Sequence, residues 1–424
     1  MAPLLQSDKP TLLFVPHYIG SFKYYEKLKP FLEDRYEVIF LLIFPHQKAF
    51  AEMKQYAEAR GHASILIPPP RFFSGASVFG VFSYIAALFA YRRGVNELFK
   101  KPMGKIIAPN DSGIYIRYLF NKARRHRVET LVLQWAMAYE GARARIRKVG
   151  AWHRQIIYEI LKPLYAGFKK IFARLLLGSD FTISKELTGL GNSDRMGVIN
   201  RRALDYFISH GVSPEKLSIV GYLDYHFSQT VKRDLDLDSR KRVEAMKRLS
   251  IDPSLKLITL FSSPYNGKDV NVLTDAEQYD FTSRIMNTIR EICPASRFAL
   301  ALKIHPSERI ELYRPLEKIG VKIFGKDTDN YELVYFTDLY VAGGTAVNFV
   351  PLIMGKDAIF INFLKLSNIE DTRPIFNIKK FVTDDAEFRE LLTRYREGIL
   401  PRQYADVEDV ITHDSLKKII AWIG

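Results

Sequence analysis

Two segments in the second half of this chain restrict its fold more than any others. One is LALKIHPSE at 300–308; the other is DLYVAGGTAVNFVPLIMGKDAIFINF at 338–363. Each holds an apolar run of strand length that ends abruptly in polar residues, the pattern of a strand buried on both faces in a parallel sheet. The first run, Phe298 to Ile304, delivers His305-Pro306 to its carboxyl end. The second, Leu339 to Ala342, delivers Gly343-Gly344-Thr345, and an apolar helical run follows at once. In open parallel sheets ligands bind beyond the carboxyl ends of the strands. Glycine lets the backbone approach a ligand closely, and a helix N-terminus attracts an anion through its free N–H groups and dipole. The pair predicts a phosphate on the 343–348 turn, with His305 as a second donor.

The same alternation of strand and helix runs along the whole chain. Strands are expected at 11–15, 36–44, 64–70, 105–111, 130–136, 180–186 and 216–224, with helices between them at 24–33, 49–61 (closed by Gly61) and from 201. The polar stretch HFSQTVKRDLDLDSRKR at 226–242 reads as a connection. A second series then begins: a strand at 255–264, a helix at 277–293, strands at 321–325 and 357–362, and a terminal helix at 415–423. Strands alternating with helices imply parallel βαβ units. At 424 residues two domains are expected. The boundaries read as 1–225, a connection at 226–250, a second domain at 251–405, and a tail at 406–424.

KIHPSE together with DLYVAGGTAVNFVPLIMGKDAIFIN resembles the nucleotide-binding half of GT-B glycosyltransferases. The resemblance is strongest to the bacterial group with a His-Pro motif: sialyl-, Kdo- and polysialyl-type transferases and CDP-glycerol transferases. It extends in fold to the UDP-N-acetylglucosamine 2-epimerases. It covers 250–365 well and 1–220 more thinly. It implies an α/β GT-B fold, two Rossmann-like domains facing each other across a cleft, with the tail helix packing back on the first. The implied activity is metal-independent transfer of a sugar from a CMP- or UDP-linked donor to a cell-surface polysaccharide or lipid-linked glycan. No cofactor beyond the donor is implied, and the expected place is the inner face of the cell membrane. Alternatives are a 2-epimerase-like enzyme, a CDP-glycerol-type polyol-phosphate transferase, and a non-catalytic membrane adaptor that has kept the fold.

On this reading His305 contacts the donor's phosphate or nucleotide, and Pro306 fixes its turn. Gly343, Gly344 and Thr345 form the second part of the donor site, and Ser262 and Ser263 end the domain's first strand facing the cleft. Each has a plain alternative, a structural histidine or ordinary loop residues. The first domain should supply the base for the acceptor hydroxyl. Asp111 at the end of the fourth strand, His17 after the first and Glu140 beyond the fifth are the candidates. Here the chain departs from its relatives. YEGARAR at 139–145 only faintly matches the epimerase EAG-R segment, and QWA replaces the Gln-His-Gly of the polymer group.

The net charge of +15 is local: residues 71–178 hold 20 Lys or Arg and 5 Asp or Glu, and the rest of the chain is balanced. Such asymmetry points to an anionic partner. FFSGASVFGVFSYIAALFAY at 72–91 is uncharged, but five of its residues are Gly or Ser and it falls where a crossover helix belongs, so a buried or membrane-contacting helix is expected. IIYEILKPLYAGFKKIFARLLLG at 156–178 reads as a basic amphipathic helix able to lie on an anionic bilayer. A nucleic-acid partner is not expected, because no binding-module signature accompanies the arginines. One cysteine, Cys293, excludes an internal disulfide and suits a reducing compartment, and residues 1–15 lack a signal peptide's apolar core. The nine histidines show no metal-ligand spacing, DLDLD at 234–238 reads as solvated, and no Walker or GxGxxG motif is present.

Overall fold

The computed structural model describes residues 9–43, 47–67, 79–134, 167–168, 171–178, 188–266, 272–344, 346–370, 372–405 and 410–424. The first sheet contains β1 (Thr11–Phe14), β2 (Glu37–Ile43), β3 (Ser64–Ile67), β4 (Lys105–Ala108), β5 (Glu129–Leu133), β6 (Arg195–Val198) and β7 (Leu217–Ile219). Its order is β3-β2-β1-β4-β5-β6-β7, and every neighbouring pair is parallel. The second contains β8 (Lys256–Phe261), β9 (Phe298–Lys303), β10 (Val321–Phe324), β11 (Leu339–Ala342) and β12 (Asp357–Phe360). Its order is β10-β9-β8-β11-β12, again all parallel.

Each sheet is built outward from one strand and then resumes on that strand's other side. The chain runs β1 to β2 to β3 and returns to place β4 beside β1; it runs β8 to β9 to β10 and returns to place β11 beside β8. Neighbouring crossovers at these two places leave in opposite directions, opening a crevice between β1 and β4 and another between β8 and β11.

Among the described residues the helices include α1 (Ile19–Leu28), α2 (Gln47–Ala59), α3 (Phe79–Leu98), α4 (Ile114–Arg125), α5 (Arg201–Ser209), α6 (Leu223–Leu237), α7 (Ser239–Leu249), α8 (Asp275–Ile292), α9 (Asn330–Phe336), α10 (Phe349–Met354), α11 (Asp385–Arg396) and α12 (Ser415–Ile423). Side chains of the second sheet alternate between two cores, as strand geometry demands. Ile258, Leu260, Leu300, Leu302, Val341 and Ile359 pack with residues of α8 and α11. Leu257, Phe261, Ala301, Tyr340 and Phe360 join a larger core that continues into the first sheet. Tyr24, Tyr222, Tyr225 and Phe349 form its bridge, with successive ring centroids 5.7, 5.8 and 5.2 Å apart.

Two sequence expectations change. β6 was not anticipated, because RMGV is short and carries an arginine and a glycine. The stretch expected as a connection, 226–242, is mostly helix: α6 and α7 meet at Asp238, whose carboxylate caps α7 by accepting from the N–H groups of Arg240 and Lys241 at 2.9 and 3.2 Å. Polar residues hid the period, since α6 buries only Leu223, Tyr225, Ser228 and Leu235. The acidic run 234–238 is spent on that cap and on exposed pairs with Lys232 and Lys241. The expected strand at 180–186 lies outside the described residues, as does most of 156–178, of which 167–168 and 171–177 are helical.

The tail rests on the first domain's elements. Lys105 Nζ donates to Ile423 O at 2.5 Å, Thr412 Oγ1 to Ile199 O at 2.9 Å, and the Arg195 guanidinium lies 5.3 Å from the Trp422 ring. Burying side chains such as Ile419 and Ile423 there contributes about 1.5–3 kcal/mol each.

Candidate functional site

The carboxyl ends of β9, β8 and β11 lie side by side, so the loops that follow them form one surface at the second crevice. Ser262 and Ser263 follow β8, His305 follows β9, and Gly343 and Gly344 follow β11. Thr345 and Glu140 lie outside the described residues.

Glu308 organises this surface. One carboxylate oxygen accepts from the His305 backbone N–H at 2.9 Å and from the Ser262 hydroxyl; the other accepts from Gln278 Nε2 at 3.2 Å and from the Tyr313 hydroxyl. Ser262 Oγ also accepts from the His305 N–H, at 2.9 Å. Ser262 is thus committed to holding the main chain of the His-Pro turn. The sequence pattern gives Glu308 no role. The available signal was its spacing: an acidic side chain reaching back three residues to a main-chain N–H is half of a capping box.

The histidine ring is oriented separately. Ser307 N–H donates to His305 Nδ1 at 3.2 Å, and the Ser307 hydroxyl lies 2.8 Å from the same atom. A backbone N–H can only donate, so Nδ1 holds a lone pair and the neutral ring carries its proton on Nε2. Burial, followed by the neighbouring Lys303 charge, pushes the His305 pKa down to about 4. His305 is therefore a neutral donor through Nε2–H. Lys303 lies buried at the end of β9 and donates to Gly325 O at 2.6 Å. Burial pushes its amine down to about 8, against the pull of Asp327 and Asp329, and Lys23 on α1 adds to the depression. The two sheets' elements meet electrostatically at this point.

The β11 turn is packed from below. A Cβ on Gly343 would lie 2.6 Å from the Tyr265 hydroxyl and 3.3 Å from Ser263 Oγ. Asn348 Nδ2 donates to Gly343 O and Asn348 Oδ1 accepts from the Tyr340 hydroxyl, both at 2.8 Å. The sequence suggested an anion at the N-terminus of the helix that follows. That helix, α10, has six residues behind a 3-10 turn at Ala346–Asn348, so its dipole is small. The steric reading has a direct check. Gly343→Ala is expected to lose about 1–3 kcal/mol in denaturant unfolding through overpacking. Adding Tyr265→Phe, which removes the obstructing oxygen, should recover most of it; no recovery would mean that the glycine serves something other than this contact.

At the first crevice, His17 follows β1 and Asn110 follows β4. The two meet across it, with Asn110 Nδ2 3.2 Å from His17 Nδ1. The His17 main chain is held by its N–H, which donates to Ser21 Oγ at 3.0 Å. An amide can offer Nδ1 either its NH2 or, turned over, its oxygen, so Asn110 supports His17 as Nε2 donor or Nε2 acceptor. Asn110 was overlooked beside its acidic neighbour.

Asp111 is a correction. It was expected to face the cleft, and it is fully buried instead. Its carboxylate accepts from Gly189 N–H at 2.7 Å and Ser193 Oγ at 2.6 Å, and pairs with Lys216 Nζ at 2.9 Å. Lys216 also donates to the carbonyls of Gly189 and Gly191. Burial favours the neutral acid, but the Lys216 charge and the hydrogen bonds from Ser193, Lys216 and Gly189 outweigh it and hold the carboxyl below its ordinary range. Asp111 fastens the 189–193 loop to the end of β4, and its oxygens are taken.

No protein-family model matches the chain, and no curated protein matches it by sequence. Solved structures do resemble it. The UDP-GlcNAc 2-epimerase of Methanocaldococcus jannaschii aligns over 98% of this chain and 99% of its own, with a TM-score of 0.54 and 12% identity. The UDP-GlcNAc 2-epimerase of Neisseria meningitidis, solved bound to UDP-GlcNAc, aligns over 98% and 99%, with a TM-score of 0.54 and 11% identity. A structure of the wall teichoic acid polymerase TagF soaked with CDPG aligns over 97% and 87%, with a TM-score of 0.52 and 11% identity. The shared architecture is the GT-B fold, with two Rossmann-like domains.

Proposed function

We propose that this GT-B chain is a glycosyltransferase that binds a nucleotide-activated sugar, CMP- or UDP-linked, at the β8/β11 crevice and transfers the sugar to a cell-surface polysaccharide or lipid-linked acceptor. The observation that carries this reading is His305: a neutral imidazole at a strand's carboxyl end, its tautomer set by Ser307 so that Nε2–H is the available donor. A preoriented donor of this kind stabilises negative charge as it develops on a leaving phosphate, without reorganising during the reaction. The solved structures support a nucleotide ligand: one similar protein was solved with UDP-GlcNAc and another after soaking with CDPG.

In the proposed reaction His17, supported by Asn110, takes the proton of the acceptor hydroxyl. The acceptor oxygen bonds to the anomeric carbon, the bond from that carbon to the donor phosphate breaks, and its electron pair passes to the phosphate oxygen. His305 Nε2–H and the nearby Lys303 ammonium stabilise that oxygen. The same architecture in 2-epimerases supports a second reading, an acceptor-independent reaction on the nucleotide sugar. Assay without acceptor, scoring epimer against transfer product, separates the two.

The direct test is a thermal-shift series with CMP, CDP, UDP, GDP and ADP. A ligand that binds only the folded state at a hundredfold excess over its Kd stabilises it by about 2.7 kcal/mol. One nucleotide class is expected to raise the melting temperature in a concentration-dependent way. No shift with any of the five would count against a donor site and favour a non-catalytic role.

A further inference from the structure

The helical segment 171–177 is apolar on two opposite sides. Ala173 and Leu177 are buried, and Phe172 and Leu176 pack partly against the core. Ile171 and Leu175, on the other side, are 57% and 70% exposed, and Phe168, one turn earlier, is 52% exposed. A surface helix normally gives water its polar face; one with apolar residues all round needs cover on both sides.

The helix α3 lies beside this segment and has exposed apolar and basic residues of its own. Arg92 on α3 donates from Nη1 to Leu176 O at 3.3 Å, tying the two helices together. α3 buries Leu88, Tyr91 and Val95 and exposes Phe89 at 54%, with Arg92 and Arg93 exposed one turn further along. Arg174 is exposed between Ile171 and Leu175. Four large exposed apolar side chains therefore stand among three exposed arginines, within the stretch 71–178 that holds the whole net charge of +15.

We propose that the exposed faces of α3 and segment 171–177 form one docking surface for an anionic lipid bilayer. Phe89, Phe168, Ile171 and Leu175 enter the boundary between headgroups and acyl chains, and Arg92, Arg93 and Arg174 meet anionic headgroups. The chemistry selects this occupant. A second copy of the same face would bring two strongly basic surfaces together, which like charges oppose. A soluble polyanion would satisfy the arginines and leave the aliphatic side chains in water. A bilayer with anionic lipid satisfies both. Among the described residues no helix is long and apolar enough to cross a membrane. The proposal stands on exposure and charge and does not depend on the nucleotide reading.

The test is co-sedimentation of the full chain with phosphatidylcholine vesicles, with and without phosphatidylserine. Wild type should bind the anionic vesicles and release as salt rises. Ile171→Glu/Leu175→Glu and Arg93→Glu/Arg174→Glu should each weaken binding by about tenfold or more while the melting temperature is kept. Leu237→Glu, at a position 80% exposed on α6, should bind as wild type does. Equal binding by the Ile171/Leu175 variant, or no preference of wild type for anionic vesicles, overturns the proposal. So does light scattering that shows a dimer which the same variant dissociates, since the face would then belong to a second copy.

Discussion

His305→Ala is expected to lower transfer by about two to three orders of magnitude, the scale seen when one preoriented donor to a developing oxyanion is removed. It should also remove the nucleotide-dependent thermal shift. The fold should tolerate the change, because Ser262 and Glu308 grip the main-chain N–H of residue 305 and not its ring. His305→Gln, which keeps an N–H donor at similar reach, should recover part of the activity. The pH dependence adds a separate check. The folded pKa, about 4, lies below the ordinary 6.5, so the unfolded chain binds more protons between those values. The resulting stability is fully present above about pH 6.5 and is lost as pH falls toward 4; the His305→Gln variant should show a flatter stability profile in that window. At neutral pH the ring is already uncharged, so no activity inflection between pH 6.5 and 8 should trace to it. Wild-type transfer by His305→Ala would remove the donor-site assignment altogether.

Asp111→Asn is expected to cost about 3–5 kcal/mol of stability, the scale for breaking a buried pair and stranding its partner. Lys216, with only 12% of its side chain exposed, would lose the carboxylate it pairs with and face a neutral amide. Asp111→Asn/Lys216→Met removes the stranded charge and should be less destabilised than the sum of the two single changes, since residues in contact do not add. The depressed carboxyl pKa makes this contribution acid-sensitive. It is present above the unfolded aspartate value near 3.9 and lost as pH falls through the lower folded value. Denaturant melts across pH would show it. An Asp111→Asn protein that keeps wild-type stability and loses transfer would reverse the assignment and make Asp111 the base.

The contrast between these residues shows how far local pattern reaches. Runs such as LLFV before His17, LALK before His305 and LYVA before Gly343 declare buried parallel strands, because burial on both faces leaves a continuous apolar string that only neighbouring residues need supply. Strand ends follow from the same strings, so His17, Ser262, His305 and Gly343 were legible at the crevices, whereas Asn110 and Glu308 were not. The short β6 and the polar-coated α6 were not, since their apolar positions are too few to mark a period.

The amino-acid order by itself determined two parallel α/β units and put His17, Ser262, His305 and Gly343 at strand ends. Tertiary structure alone decided what each side chain there does. Glu308 became the clamp of the His-Pro turn because the fold brings up Ser262, 46 residues away, and Gln278, 30 away. Asp111 became a buried fastener because Lys216, 105 residues away, folds onto it, while Asn110 beside it met His17 across the crevice. Secondary structure is set by neighbours along the chain, whereas protonation and hydrogen bonding are set by neighbours in space, and those exist only once the crossovers have packed.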